Sequence, residues 1–307
     1  MTLSGERVAV TGATGLIGRR LVAALRGRGA EVTVLSRDPE RARGELDGVD
    51  AVAWDASCEP APAEALEGRA AVFNLAGAPI QQRWTARAKS AIRDSRVRGT
   101  EHLVAALEGL QQRPAVLVSS SAVGYYGPHG EEPIDEDAPA GNGFLAQVCL
   151  EWERRAAAAA AQGLRVTTVR TGVVLDRSGG ALAAMLTPFR LGVGGPVAGG
   201  RQYISWVHID DVVGMMIAAA EGDDWDGPVN ATAPQPATNG EFSRELGRAL
   251  GRPAILPMPG FAMRALYGEM AEVVTTGARV VPAKPLMRGY EFAHPQLPDA
   301  LRAALGA

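Results

Sequence analysis

The chain has 307 residues, is 47% hydrophobic and 21% charged, and carries a formal net charge of −3. That length suffices for one large core with a smaller lobe, and the mild acidity removes any electrostatic case for nucleic acid or an anionic membrane as partner. Two cysteines, Cys58 and Cys149, make neither a disulfide framework nor a metal set. No apolar run approaches the roughly 18–20 residues that span a bilayer. An apolar strand pattern already starts within the first ten residues, which leaves no room for a signal peptide. The expectation is a soluble, cytoplasmic protein with no bound metal.

In chain order, short apolar runs alternate with helical stretches. The runs are "RVAVTG", "EVTVLSR", "DAVAW", "AAVFNLAG", "PAVLVSSS" and "LRVTTVRTG". Each is apolar at consecutive positions, which suits parallel strands buried on both faces. Between them lie "GLIGRRLVAALRGRG" and the long "WTARAKSAIRDSRVRGTEHLVAALEGL", both with helical spacing. Repetition of strand, helix and strand predicts an α/β fold with a Rossmann-type doubly wound parallel sheet. The alanine run 156–161 reads as helix interior. After Gly172 come a glycine-rich loop, "YISWVHIDD" and "PVNATAP", and then a helical, proline-containing tail. The expected division is a nucleotide-binding domain over 1–173 and 203–234, and a smaller C-terminal substrate lobe over 174–202 and 235–307.

"VAVTGATGLIGRRLV" places Gly12, Gly15 and Gly18 at the turn from the first strand to the first helix. Backbone N–H groups and the helix dipole at such a turn receive a pyrophosphate, and side chains there would block its approach. Thr14, Leu16 and Ile17 complete the turn. The second strand ends in Ser36 and Arg37 where an NAD site usually carries an acid. A hydroxyl beside a guanidinium suits a 2′-phosphate, so NADP is favoured with NAD possible, although Asp38 is adjacent. Asp55 ends the third strand within reach of an adenine, and Leu75, Ala76 and Gly77 end the fourth where a ribose and phosphate could lie against the backbone. Plain turn chemistry would account for these last positions equally well.

These residues resemble the extended short-chain dehydrogenases/reductases, the epimerase/dehydratase type, through "TGATGLIG", "NLAG", "VLVSSSAVGYYG" and "WVHIDDVV". More narrowly, "NLAGAPI", "PFRLGVGGPVAGGRQYISWVHIDD" and "ILPMPGFAMRALYGEMAEVV" resemble the YfcH-like atypical members, which have a distinctive C-terminal domain. The superfamily resemblance implies an Asn, Ser, Tyr and Lys tetrad in which Ser polarises a carbonyl and Tyr, tuned by Lys, transfers a proton. Ser121 matches the serine, with Ser120 as a neighbour, but Phe144 falls at the tyrosine, Val148 at the lysine and Arg96 at the asparagine. Ser119 and Val148 would then lie beside the cofactor, and Gly172 and Val173 at its nicotinamide end. A degenerate site of this kind implies an NADP-binding oxidoreductase or epimerase with altered proton chemistry, or alternatively a non-catalytic NADP-binding regulator or scaffold.

Tyr125 and Tyr126, just past the serines, are the candidates to replace the missing phenol, with Arg96 or Arg83 as the nearby cation. Only two lysines exist, Lys89 and Lys284, and Lys89 is expected on the solvated face of the long helix. Arg83, Arg96, Phe144, Arg201 and Tyr203 are candidates to line a pocket for a small-molecule substrate of unknown identity. His208 with Asp210 and Asp211 reads as a strand end followed by a helix cap supplied by Asp210. His102, His129 and His294 have no second ligand at metal spacing. Glu131, Glu132, Asp135, Glu136 and Asp137 read as a solvated acidic loop. Extended members commonly pair, so a homodimer is a possible assembly.

Overall fold

The computed structural model describes residues 2–306. Seven strands form one sheet: β1 (Arg7–Thr11), β2 (Glu31–Ser36), β3 (Asp50–Ala53), β4 (Ala71–Asn74), β5 (Val116–Ala122), β6 (Arg165–Thr171) and β7 (Gly227–Ala231). Every neighbouring pair is parallel and the spatial order is β7-β6-β5-β4-β1-β2-β3. The order reverses between β1 and β4, and open α/β sheets bind ligands outside the carboxyl ends of the strands at such a reversal.

Helices of eight residues or more are α1 (Leu16–Gly27), α2 (Ala86–Leu107), α3 (Phe144–Ala157), α4 (Gly180–Arg190), α5 (Ile209–Glu221), α6 (Asn239–Leu250), α7 (Gly260–Tyr267) and α8 (Leu297–Leu305). Period-2 alternation feeds two cores from one strand. Val8 and Val10 of β1 pack with Leu21, Leu25, Val212 and Met216 on one face. Ala9 packs with Leu103, Val104 and Leu107 of α2 on the other. Consecutive apolar residues in β1 are therefore both buried, as a doubly covered strand requires. The alanine run is only partly α-helical: α3 ends at Ala157 and a 3-10 turn covers Ala158–Gln162.

A third core joins α4, α6 and α8 through Leu182, Leu186, Phe242, Leu246 and Leu301 around Trp206. α6 starts where the sequence says it should, because Thr238 and Glu241 form a reciprocal capping box and Gly251 ends it in a left-handed conformation. The C-terminal segment also reaches back to the sheet domain: Arg279–Val280 pairs in parallel with Pro133–Ile134. α7 buries none of its residues, and Phe261 on it is 78% exposed.

Candidate functional site

The three glycines of the first turn do different jobs. Gly12 has φ +67°, and a Cβ there would lie 2.6 Å from the carbonyl carbon of Leu75. Gly18 is as tightly constrained, since its Cβ would meet the Gly12 carbonyl oxygen at 2.3 Å. Both are required by the protein's own packing of turn, helix and β4. Gly15 is exposed, and its Cβ would approach only the Gly12 carbonyl, at 3.2 Å. It is the one of the three whose open side faces away from the protein. Gly15 is also the N-cap of α1; no side chain caps that helix end, and its first turn holds no acid. Leu16 and Ile17 follow it, Leu16 lying against Gly179 and Gly180, while the Thr14 carbonyl accepts from Arg19. An uncapped helix N-terminus with no side-chain acceptor offers bare N–H donors and positive dipole to an anion.

A buried polar network holds β1 against β4 beneath this turn. Thr11 Oγ1 donates to Asn74 Oδ1 at 2.9 Å and accepts from the amides of Leu75 and Ala76 at 3.1 Å. Asn74 Nδ2 then donates to Thr100 of α2 and to Ser119 of β5, at 2.8 and 3.3 Å. Ser119 is thus a strut in this network. Thr11, Asn74 and Thr100 escaped the sequence reading, since only the network shows what these common polar residues do. At the end of β2 the doubt over Asp38 is resolved: its carboxylate accepts from the Arg41 amide and caps the helix Pro39–Glu45. Ser36 is half-buried and Arg37 exposed, with no carboxylate in ion-pair range of Arg37 among the described residues. Asp55 accepts from the amide and hydroxyl of Ser57, which hold its carboxyl below the usual range with help from the charge of Arg37.

At the end of β5 the serine is committed. Ser121 Oγ donates to Glu153 Oε1 at 2.6 Å, and Glu153 makes two further bonds of 2.9 Å to Nε and Nη2 of Arg170 on β6. Arg170 continues to Tyr126, whose hydroxyl donates to Asn230 at 2.7 Å. Burial opposes the charge of Arg170, but the hydrogen bonds and charge of Glu153 outweigh it and raise its pKa. Tyr126 is fully buried, and desolvation pushes its pKa up to about 12. It belongs to the core, which corrects its candidacy as a proton donor. Tyr125, in the 3-10 turn Val123–Tyr126, is half-buried beneath Arg170, whose guanidinium carbon lies 3.5 Å from the ring centroid. No protein group bonds the Tyr125 hydroxyl among the described residues.

On α3, Phe144 is half-buried against Trp84, edge to face at 5.2 Å, and clusters with Met270 of the C-terminal segment. Val148 is 3% exposed and offers only packing. Its neighbour Cys149 lies beside Ser121 and Arg96, and burial pushes that thiol up to about 11, so it is an inert thiol at neutral pH. Lys89 does not simply point into solvent: its ammonium pairs with Glu269 and lies 5.3 Å from the Phe144 ring centroid. Arg83 is exposed near Gly268. Arg201 is exposed, and Tyr203 carries Arg279 over its ring at 5.5 Å. The Gly172 and Val173 amides already donate to Ala231 and Ser205 carbonyls, and a Cβ on Gly172 would meet Ser205 O at 2.2 Å. These two residues are therefore spoken for within the protein, and no amide of theirs is free for a nicotinamide.

Three other expectations change. Glu136 is 4% exposed rather than solvated; its carboxylate accepts from the amides of Asn230 and Lys284, and burial raises its pKa. Asp210 pairs with Arg20 at 2.7 Å, and the cap of α5 is His208, whose Nδ1 accepts from the Asp210 amide. His294, 86 residues away in sequence, lies with its ring centroid 3.9 Å from that of His208, so the histidines do meet. With Asp210 they form a group whose ligand atoms lie within 4.8 Å of one another. Cap and ion pair already engage His208 Nδ1 and the Asp210 carboxylate, and His208 Nε2 is sealed without a partner.

Burial, then the neighbouring His294, lower the His208 pKa to about 4. The unfolded chain takes up this proton first as pH falls from about 6.5 towards 4, so stability is lost across that window. Thermal melts between pH 7 and 4.5 should show a steeper acid decline for the wild type than for His208→Asn, which keeps a capping acceptor. Parallel declines would remove His208 from the account.

A doubly wound parallel sheet with a bare helix N-terminus at its strand-order reversal defines a dinucleotide-binding α/β protein. Residues 8–230 match the family described as NAD dependent epimerase/dehydratase, and residues 258–304 match a domain of unknown function, DUF1731. The chain belongs to that epimerase/dehydratase family. It is 42% identical over 300 residues to the chloroplastic epimerase family protein SDR39U1 homolog of Arabidopsis thaliana, covering 97% of this chain and 86% of that one. It is 41% identical over 296 residues to epimerase family protein Mb2239 of Mycobacterium bovis, covering 96% of each. The crystal structure of human epimerase family protein SDR39U1 (isoform2) with NADPH superposes with a TM-score of 0.87 at 37% identity, covering 98% of this chain and 100% of that one. No helix among the described residues is long and apolar enough to cross a membrane.

Proposed function

We propose that this protein binds NADPH across the crevice at the β1/β4 reversal and is an oxidoreductase or epimerase-like member of its family with a degenerate tetrad. The observation that carries the reading is the uncapped N-terminus of α1 behind an open-sided Gly15, framed by two glycines that the fold itself demands. A relative 37% identical is solved with NADPH, which supports the same cofactor here. Preference for the phosphorylated coenzyme follows from Arg37, which has no carboxylate within ion-pair distance among the described residues, beside Ser36, with Asp38 turned away to cap a helix. Leu75, Ala76 and Gly77 form the wall opposite the turn, and Asp55 stands beside Arg37 on the adenine side. The cofactor would supply a hydride; the chain must supply or take a proton. Tyr125 is the phenol left for that role, and Ser121 can act only if its hydroxyl leaves Glu153. Phe144, Arg83, Arg201 and Tyr203 would surround a small substrate beneath the C-terminal segment. Unpaired Cys58 and Cys149 fit a reducing compartment such as the cytoplasm.

A second reading rests on one observation: Ser121, the surviving tetrad member, spends its proton on a carboxylate locked by Arg170. On that reading the protein binds NADPH and signals its presence without turnover. Assays of NADPH oxidation over carbonyl and sugar-nucleotide panels separate the two. Turnover that falls at least tenfold in Tyr125→Phe supports the enzyme. NADPH binding with no turnover on any substrate supports the regulator.

A further inference from the structure

Two arginines lie near the carboxyl ends of the strands, Arg170 buried and Arg96 half-buried, and the chain treats them differently. Arg170 receives a bidentate carboxylate. Arg96, on α2, receives none: no carboxylate lies within ion-pair range of it among the described residues. Its Nη1 donates to the carbonyls of Ala78 and Ile92, both at 3.0 Å, and the plane sits 5.3 Å from the Trp152 ring centroid. Nε and Nη2 have no protein acceptor among the described residues, and they are not among the partnerless atoms sealed from solvent. Burial pulls the pKa of Arg96 down, and the nearby Cys149 stays protonated and supplies no charge. A half-buried cation whose two remaining donors open onto the crevice is a ready partner for an anion there.

The surroundings say where that anion would come from. The guanidinium lies flat on Gly77, where a Cβ would sit 3.0 Å from its central carbon and 3.1 Å from Nη2. Gly77 follows directly on Leu75 and Ala76, the backbone that Gly12 touches. One short loop therefore separates Arg96 from the glycine turn. We propose that Nε and Nη2 of Arg96 hold an oxyanion, a phosphate or carboxylate, belonging to the ligand of this crevice. It is either the nicotinamide-side phosphate of the cofactor or an acidic group on a second ligand. Planar, two-pronged donors match either group. The inference rests on the crevice being the cofactor site.

Calorimetry on the full chain tests it, comparing wild type, Arg96→Met and Arg96→Lys with three probes: NADPH, 2′,5′-ADP, and inorganic phosphate added to the NADPH-loaded protein. If the oxyanion is the cofactor's, Arg96→Met weakens NADPH at least tenfold and leaves 2′,5′-ADP unchanged. If it is a second ligand's, NADPH is unchanged within twofold while phosphate binds the loaded wild type and not the loaded variant. Either pattern supports the proposal. Equal binding of all three probes by wild type and both variants, with only the melting temperature lowered, makes Arg96 a strut for two carbonyls and overturns it. Should Arg96→Met fail to fold, Arg96→Lys decides: it keeps the charge but loses the fork, so weakening supports the proposal and wild-type affinity overturns it. Absence of any NADPH heat in the wild type would instead defeat the cofactor reading, and phosphate titrated into the unloaded wild type and variants would then decide the Arg96 site alone.

Discussion

Replacing Glu153 with alanine is expected to destabilise the protein by about 3–5 kcal/mol, the cost of leaving a buried charge without its partner. The Arg170 side chain is 4% exposed and that of Glu153 12%. Losing the carboxylate leaves Nε and Nη2 of Arg170 in a site closed by Tyr125 and Tyr126, and removes the acceptor of Ser121 Oγ. Glu153→Gln, which keeps one acceptor oxygen, should cost less. Glu153→Leu with Arg170→Met should cost less than the sum of the single changes, because each single change strands a polar group that the pair removes. Denaturant unfolding of Glu153→Ala, Glu153→Gln, the singles Glu153→Leu and Arg170→Met, and their double measures this. A loss below about 1 kcal/mol in Glu153→Ala, the scale of a surface ion pair, would show that water reaches the pair.

Gly15→Val is expected to abolish NADPH binding, weakening it at least 100-fold (about 2.7 kcal/mol), with little loss of stability. Its Cβ projects to the outside of the turn, with one backbone oxygen at 3.2 Å, so the protein tolerates the side chain where the phosphates do not. Gly18→Ala should fail in both respects, since its Cβ would lie 2.3 Å from the Gly12 oxygen and force turn and helix apart. Gly12→Ala adds a left-handed φ of +67° to a 2.6 Å contact and should resemble Gly18→Ala. Melting temperature and NADPH titration together separate a ligand clash from a folding clash. If Gly15→Val binds NADPH like the wild type, the phosphates do not lie over this turn.

The sheet and its glycine turn were legible because they follow from local spacing. Runs such as "RVAVT" are apolar at every position only when both faces of a strand are covered, and Val8, Ala9 and Val10 are each fully buried. Phe144 and Val148, which the resemblance sets where a phenol and an ammonium are expected, take packing positions, one against Trp84 and one 3% exposed in the core. What stayed hidden depends on contacts between distant segments. Glu136 sits among five acidic residues and reads as solvated, yet the amides of Asn230 and Lys284 converge on it from 94 and 148 residues away. Tyr125 and Tyr126 are adjacent and chemically identical in sequence. Only the tight turn after β5 decides that one hydroxyl is locked in the core between Arg170 and Asn230 while the other ring lies under the Arg170 guanidinium. His208 and His294 meet because α5 and the segment before α8 pack together through Asp211, whose carboxylate accepts the amides of Ala293 and His294. No spacing rule encodes that meeting.

Isothermal titration of the purified chain with NADPH, alongside NADH, tests the central claim most directly. Bare amides at the start of α1, together with Arg37 beside Ser36, predict saturable one-to-one binding of NADPH and at least tenfold weaker binding of NADH. No heat of binding from either coenzyme would contradict the account.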